Sequence, residues 1–347
     1  MKKITTALCS YGMSGRVFHA PFINLHPGFN LYAVLERTNN IAAEKYPAIK
    51  SMRTLTALLD DANIELVIVN TPNTTHFEYA KLALSAGKHV VVEKPFTITV
   101  DEAAELIELA KNQNKKLSIF QNRRWDSDFK TVKDIIQKKL LGDIVEAEIH
   151  FDRFSELLSP KLHKEIPGPG TGILYDLGSH MIDQAIQLFG KPRAVFADLF
   201  IIRPISKVED YMELILFYDG LRVRLKGSYL ARETAPGYII HGSKGSFLKP
   251  RADVQEACLQ MGEDPGAPDW GTEPNSGKGL LHTEVDGKII REYIPSLKGN
   301  YLDYYDGIYR SIEQDSPLQV KAEEGLHLIR IIQASYQSVT EKRIVEI

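Results

Sequence analysis

The chain has 347 residues, of which 44% are hydrophobic and 25% charged, and its formal net charge is -3. This balance is typical of an ordered globular protein and excludes the disordered and fibrous classes. With 42 basic and 45 acidic residues there is no positive surplus for binding nucleic acid, and no apolar run approaches the roughly 18 residues that span a bilayer. Two distant cysteines without metal-ligand spacing suit the reducing cytoplasm, and a chain of this length is expected to form two domains.

Short apolar strands alternate with helical patterns in the first third of the chain. The strand patterns include KITTALC, LYAVLE, IELVIVNTPN, KHVVVEKP and KLSIFQN, and amphipathic stretches such as THFEYAKLALSAG separate them. A helix is expected over residues 100–112, with Thr99 or Asp101 as its N-cap. Near-continuous apolar strands between such helices predict a doubly wound parallel sheet, and hence a Rossmann-type α/β domain over residues 1–122.

Longer alternating segments follow and predict a second α/β domain over residues 123–347, with a large, mostly antiparallel sheet. DYMELILFY and LRVRLKGSYL flank Asp219-Gly220, which predicts a hairpin with a type I′ turn, and GYIIHG with SFLKP predicts another. The alternation in LRVRLK places its basic residues on one face, which either a second subunit or a ligand cleft would cover. Two helices, near 301–315 and 322–341, are expected to end the chain.

The turn SYGMSGR follows the first predicted strand, where a dinucleotide-binding fold has its phosphate loop. In the G-x-G-x-x-G frame the positions are Ser10, Gly12 and Gly15, so a serine replaces the first glycine. Gly12 would let the backbone approach a pyrophosphate, with Tyr11 beside it, and Gly15 would let the helix pack closely on the strand. A plain strand-to-helix turn is the alternative interpretation.

The second predicted strand ends in LYAVLERT, about twenty residues beyond the glycine turn. Glu36 has the chemistry that a ribose 2′-hydroxyl requires at this place, whereas Arg37 would stack on an adenine or meet a 2′-phosphate. The pair favours NAD as the cofactor and leaves NADP open. A solvated Glu-Arg pair without a ligand is the alternative.

VVVEKPF and VNTPNTTH end two neighbouring predicted strands, at the edge where α/β folds bind ligands. Proline prevents the strand from continuing past Lys94, and a partly desolvated lysine there would hydrogen-bond a reacting oxygen. A lysine that merely extends to solvent is the alternative. We interpret His76 as a residue that opens a helix. The candidate cofactor contacts at this edge are Thr71, Pro72, Asn73, Glu93 and Lys94.

ILYDLGSHMID contains three ionisable residues in an otherwise apolar or small run. If the segment is helical, Asp176, His180 and Asp183 lie on one face, because they are four and three residues apart. Such a face makes a poor core and indicates a site. The alternative is a capping Asp176 followed by a buried, satisfied His180, and Asp183 is either a supporting partner or a surface carboxylate.

Together these segments resemble the Gfo/Idh/MocA oxidoreductase family, which includes glucose-fructose oxidoreductase and inositol dehydrogenase. The resemblance rests on a glycine turn, T-P-N-x-x-H, E-K-P and G-x-x-x-D-x-G-x-H-x-x-D in this order, and it covers nearly the whole chain. QNRRWDSDF and YDLGSHMIDQA are similar to scyllo-inositol dehydrogenase-like members. The resemblance implies a Rossmann domain followed by a sheet domain that forms dimer or tetramer contacts.

The resemblance also implies roles for individual residues. Lys94, Asp176 and His180 would surround the carbinol carbon of a sugar or cyclitol that faces the nicotinamide. His180 would take the hydroxyl proton, and Lys94 would orient and polarise the same oxygen. Asp176 would bind the substrate and hold His180 or Lys94 in place. Apart from the resemblance, Arg124 and Trp125 are expected to contact the substrate or the cofactor, or only to buttress the domain junction.

We therefore expect a cytoplasmic oxidoreductase that transfers a hydride between NAD or NADP and a secondary alcohol or ketone of a cyclitol or sugar. It is expected to form a homodimer or homotetramer and to use no metal. Two alternatives remain at this stage. One is an NAD-dependent glycosidase that runs a redox-elimination cycle, and the other is a dinucleotide sensor without catalysis.

Overall fold

A computed structural model describes residues 2–161 and 164–347. The chain forms two compact units, and each is made of more than one segment. The first unit contains the chain up to Trp125 together with Val254–Trp270 and Asn300–Leu326. The second contains Asp126–Asp253, Gly271–Gly299 and His327–Ile347.

The first unit is built on a six-stranded sheet in which every pair of neighbours is parallel. Its strands are β1 (Ile4–Leu8), β2 (Phe29–Leu35), β3 (Lys50–Met52), β4 (Leu66–Val69), β5 (His89–Glu93) and β6 (Leu117–Phe120). The order β3-β2-β1-β4-β5-β6 reverses direction between β1 and β4, which is the topology of a Rossmann fold. The prediction of a doubly wound parallel sheet is confirmed.

Five short helices connect these strands. They are α1 (Ala20–Leu25), α2 (Ile41–Lys45), α3 (Leu55–Asp60), α4 (His76–Ser85) and α5 (Val100–Asn112). The α5 helix has the predicted bounds and begins with a capping box. The Thr99 hydroxyl accepts the Glu102 amide at 3.2 Å, and the Glu102 carboxylate accepts the Thr99 amide at 3.1 Å.

Segments from late in the chain complete the first unit. They carry α8 (Gln255–Gln260), α9 (Leu302–Glu313) and the start of α10 (Ala322–Glu341). The rings of Tyr304 and Tyr305 are fully buried and pack on Phe120 and Phe22, with ring centroids 5.0 and 5.9 Å apart. The predicted domain ranges are contiguous, whereas this unit takes in residues 254–270 and 300–326, because these aromatic residues complete its core.

The second unit is built on a nine-stranded sheet in the order β14-β13-β12-β11-β7-β10-β9-β8-β15. Only the β7–β10 pair is parallel, so the prediction of a mostly antiparallel sheet is confirmed. The strands are β7 (Ile144–His150), β8 (Ala194–Phe200), β9 (Tyr211–Tyr218), β10 (Leu221–Ser228), β11 (Tyr238–Gly242), β12 (Gly245–Lys249), β13 (Gly279–Val285), β14 (Lys288–Ile294) and β15 (Val345–Glu346).

Both predicted hairpins are present, as β9–β10 and β11–β12, but the type of the first turn was predicted wrongly. Tyr218 pairs with Leu221, so the loop has the expected two residues. Only Gly220 has a positive φ, of 69°, whereas a type I′ turn needs one at Asp219 as well. The Cβ of an L-residue makes the left-handed backbone costly, so glycine alone adopts it here.

The helices α6 (Ser127–Gln137) and α7 (Ser179–Phe189) belong to the second unit. In β10, Leu221, Val223 and Leu225 are buried, whereas Arg222 and Arg224 are exposed on the opposite face. The cover of that face by a second subunit stays a prediction. Within residues 2–161 and 164–347, no helix combines the length and apolar character needed to cross a membrane.

Candidate functional site

The glycine turn after β1 is held by hydrogen bonds to Ser10. The Ser10 hydroxyl accepts the Gly12 amide at 3.1 Å, and the side-chain amide of Asn70 donates to the Ser10 carbonyl at 2.8 Å. A Cβ on Gly15 would lie 2.3 Å from that carbonyl, so the position admits only glycine. A Cβ on Gly12 would have one neighbour within 4 Å, the Ser10 hydroxyl at 3.3 Å, so the backbone there stays open to a ligand.

The helix that follows the turn begins with a π turn, Gly15–His19, and continues as α1. The Arg16 amide donates to the Gly12 carbonyl at 3.0 Å, which joins the turn to the helix. Tyr11 is half-buried beside it, and burial raises the pKa of its hydroxyl. Serine in place of the first glycine therefore preserves a tight strand-to-helix turn, and its contact with a pyrophosphate stays a prediction.

Glu36 is buried at the end of β2, with 7% of its surface exposed. One carboxylate oxygen accepts the amides of Ile41 and Ala42, at 2.9 and 3.3 Å, at the start of α2. The other accepts the Ser51 hydroxyl at 2.8 Å. The carboxylate thus holds α2 against β3, and this placement counts against the predicted contact with a ribose.

Two arginines surround the same strand end. Arg37 is exposed, and its guanidinium donates to the Tyr79 hydroxyl at 3.4 Å. Arg53 donates to the carbonyls of Glu36 and Asn39, at 2.7 and 2.6 Å. This edge of the first unit therefore presents positive charge to solvent and keeps its carboxylate inside.

The predicted contacts Thr71, Pro72 and Asn73 follow β4. His76 is buried at the start of α4, as expected for a helix-opening residue, and lies between two backbone carbonyls. Its ring nitrogens are 2.8 Å from the Pro95 carbonyl and 2.9 Å from the Thr71 carbonyl. Burial lowers the pKa of His76. Its two backbone contacts link T-P-N to E-K-P and give the ring a structural role.

Glu93 ends β5 and is the centre of a partly buried hydrogen-bond network in the first unit. Its carboxylate accepts the Lys94 amide at 3.1 Å, the hydroxyl of Ser14 and the Nε2 of His19 at 3.0 Å. Burial alone would raise the pKa of Glu93, but the bond and charge of His19, with Ser14 and Lys94, hold it at about 2. Because an ionised carboxylate only accepts hydrogen bonds, His19 carries a proton on Nε2.

Sequence reasoning missed His19, which is fully buried. Its Nδ1 lies 2.7 Å from the Tyr305 hydroxyl, which also bonds the Phe18 carbonyl at 3.0 Å. The signal was a polar histidine inside the apolar run VFHAPF. Glu93 therefore connects the glycine turn, the π turn and Lys94.

Arg124 and Trp125 also belong to the first unit. The Arg124 guanidinium donates to the Gln319 carbonyl at 3.1 Å and to the Glu324 carboxylate at 3.0 Å. The ring of Trp125 packs edge-on against Tyr304, with centroids 5.5 Å apart. These partners also lie in the first unit, so a buttressing role at the domain junction and a substrate contact both stay predictions.

Asp176 and His180 lie on one continuous helical stretch of the second unit. A π turn, Leu174–Gly178, leads into α7, and the Asp176 amide donates to the Gly172 carbonyl at 3.1 Å. Asp176 is partly exposed and its carboxylate accepts the Lys164 ammonium at 2.7 Å, whereas His180 is only 4% exposed. The predicted helical stretch is present, and Asp183 is also buried on it.

A glycine sets the position of this helix on the sheet. A Cβ on Gly178 would lie 2.8 Å from the side chain of Leu174 and 3.0 Å from the Met212 sulfur. The glycine of the D-x-G-x-H motif therefore permits close packing on the sheet, and the chemical role of the flanking residues stays a prediction. Lys94 belongs to the first unit, and Asp176 and His180 to the second.

Comparison with known proteins gives matches along nearly the whole chain. The model described as "Oxidoreductase family, NAD-binding Rossmann fold" matches residues 4–121, and "Oxidoreductase family, C-terminal alpha/beta domain" matches residues 133–347. The oxidoreductase YdgJ of Escherichia coli is 39% identical over 98% of this chain and 97% of its own. The scyllo-inositol 2-dehydrogenase (NADP(+)) IolW of Bacillus subtilis is 37% identical over 99% of this chain and 95% of its own.

Solved structures agree in fold. A crystal structure of an oxidoreductase from Bacteroides fragilis is 47% identical, covers both chains completely and superposes with a TM-score of 0.92. The oxidoreductase yvaA from Bacillus subtilis is 37% identical over 100% of this chain and 99% of its own, with a TM-score of 0.96. With both domain models matched, the chain belongs to the Gfo/Idh/MocA family of oxidoreductases, and its Rossmann domain is of the kind that binds a nicotinamide cofactor.

Proposed function

We propose that this oxidoreductase transfers a hydride between NADP and a secondary alcohol or ketone of a cyclitol or sugar. The observation that carries the proposal is the pair Asp176 and His180 on the helical stretch that leads into α7. The carboxylate is partly exposed, the imidazole is buried, and the two residues are four positions apart. One group is available to bind substrate hydroxyls, and the other is suited to move a proton. The family and the name of the relative IolW support the same reaction class.

His180 is assigned as the general base that takes the hydroxyl proton when the alcohol is oxidised, and returns it in the reverse direction. Lys94 is assigned to hydrogen-bond the same oxygen, and Asp176 to bind the substrate. The nicotinamide, when bound, accepts or donates the hydride. The proton and the hydride thus leave the same alcohol, so the carbinol becomes a ketone.

The choice of NADP over NAD reverses the preference drawn from the sequence. A ribose 2′-hydroxyl would need an accessible carboxylate at the end of β2, whereas Glu36 is buried and its carboxylate caps α2 and bonds Ser51. Arg37 and Arg53 supply positive charge at this place, which suits a 2′-phosphate. IolW carries NADP(+) in its name.

The test measures turnover with NADP and with NAD on a panel of inositols and aldoses. The absorbance of reduced nicotinamide monitors the reaction. We expect at least one cyclitol or aldose to be oxidised, with the higher kcat/KM for NADP. Hydrolysis of glycosides without net reduction would instead indicate the redox-elimination glycosidase. Cofactor binding without turnover of either kind would indicate a sensor.

Arg37→Ala tests the cofactor assignment separately. We expect kcat/KM for NADP to fall about tenfold and that for NAD to change little, because only NADP carries the phosphate that the guanidinium would meet. Lys111→Ala, which removes an exposed cation at the end of α5, is the matched control. Equal losses with both cofactors would contradict the assignment.

A further inference from the structure

Lys164 forms an ion pair with Asp176 that sequence reasoning did not anticipate. The ammonium and the carboxylate oxygen are 2.7 Å apart, and their side chains are 37% and 24% exposed. An ammonium has three N–H donors and the bond to Asp176 uses one of them, while a carboxylate has several acceptor sites. The pair therefore places an ammonium beside a carboxylate, and both groups are partly exposed to solvent.

The loop that carries Lys164 is anchored by buried ionic contacts. Arg203 is 3% exposed and donates to Asp210 at 2.7 Å, to the Leu157 carbonyl at 2.7 Å and to Glu165 at 3.4 Å. The Glu165 carboxylate also accepts the Ser159 amide at 2.7 Å. Because Glu165 follows Lys164 directly, these bonds hold the lysine in place beside Asp176.

Tyr229 adds a further hydroxyl to this neighbourhood. Its ring packs against the Arg203 guanidinium, at 4.9 Å from the ring centroid. Burial, followed by the charge of Asp176, raises the pKa of Tyr229, so the phenol keeps its proton. The region around Asp176 thus contains an ammonium, a carboxylate and a neutral phenol.

We propose that Lys164 is a substrate-binding residue, and that Lys164 and Asp176 together bind two adjacent hydroxyls of a neutral polyol. Each hydroxyl of a vicinal diol both donates and accepts, so one meets the ammonium and the other meets the carboxylate. This inference rests on the proposed function and narrows its substrate class.

The same pair disfavours an anionic substrate. A carboxylate or phosphate group that approached Lys164 would also meet the charge of Asp176, and Arg203 is already engaged by Asp210 and Glu165. The net attraction for an anion is therefore small. Sugar acids and sugar phosphates are expected to be poorer substrates than the corresponding neutral sugars or cyclitols.

The test compares wild type with Lys164→Met on the best neutral polyol and on its monodeoxy analogues, each lacking one hydroxyl. We expect Lys164→Met to lower kcat/KM for the complete polyol by about 10- to 100-fold, the range for a hydrogen bond to a charged group. For the analogue that lacks the contacted hydroxyl, the variant and the wild type should have equal kcat/KM. Lys164→Arg should recover much of the loss, because it keeps charge and donors.

Lys207→Met removes an exposed lysine of a nearby loop and is the matched control. A similar loss on every analogue would overturn direct contact, since Lys164 would then act only by orienting Asp176. If Lys164→Met left kcat/KM for the neutral polyol unchanged, or if sugar acids or phosphates turned over faster than neutral polyols, the inference would be overturned. The proposed function would still stand. Absence of turnover on any polyol by the wild type would overturn both.

Discussion

Two helical stretches of this protein begin with a five-residue π turn, Gly15–His19 in the first unit and Leu174–Gly178 in the second. Their polar side chains differ in burial and in hydrogen-bond partners. His19 is fully buried and both of its ring nitrogens have protein partners, whereas Asp176 is partly exposed and bonds a lysine that is itself partly exposed. The first arrangement is enclosed by protein groups, whereas the second is partly exposed to solvent. Similar local geometry therefore serves positioning in one unit and, in our proposal, chemistry in the other.

The largest expected effect is on catalysis, at the helical stretch that begins with Leu174–Gly178. We expect His180→Ala to lower kcat by about 10² to 10⁴, because a general base contributes this much to the rate. Steady-state turnover with NADP and the preferred polyol measures it. His282→Ala, which removes an exposed histidine of β13, is the control and should keep wild-type activity. Full activity in His180→Ala would contradict the assignment of the base.

At the His19 network, the main effect should be on folding stability. We expect His19→Leu to lower the free energy of unfolding by about 2 to 3 kcal/mol, because it removes a hydrogen bond to the partly buried, ionised Glu93. Urea denaturation measures the change, with His282→Leu as the control. His19→Gln, which keeps an N–H donor, should recover part of the stability. Unchanged stability in His19→Leu would show that the network does not have this role.

The smallest effect is the pH dependence that Glu93 gives to stability. Its pKa in the folded protein is about 2, below the roughly 4.3 of an unfolded glutamate, so its contribution is present above about pH 4.3 and is lost as the pH falls towards 2. Glu93→Gln resembles the protonated form. Its deficit in urea stability should be largest near neutral pH and should shrink between pH 4 and 2. A deficit that is constant over this window would contradict the depressed pKa.

Much of the first unit was predictable because its signals are local. Strand hydrophobicity and glycine spacing located the sheet and the turn, and the α5 helix begins at the cap that its sequence indicates. The position of Glu36 at a strand end was also correct, but its partners were not foreseeable. They lie 5, 6 and 15 residues away, on a helix and a strand whose packing determines where the carboxylate points.

The amino-acid sequence by itself determined the strand and helix pattern, the family, and the chemical types of Lys94, Asp176 and His180, because periodicity and short motifs depend on neighbours in the chain. Only the tertiary structure decided which groups those residues meet. Glu93 and His19 are 74 residues apart, and His19 and Tyr305 are 286 apart. Contacts of this range arise from packing, and packing likewise places Lys164 against Asp176. The sequence indicated candidate residues, and the fold determined which of them are buried and which are exposed to solvent.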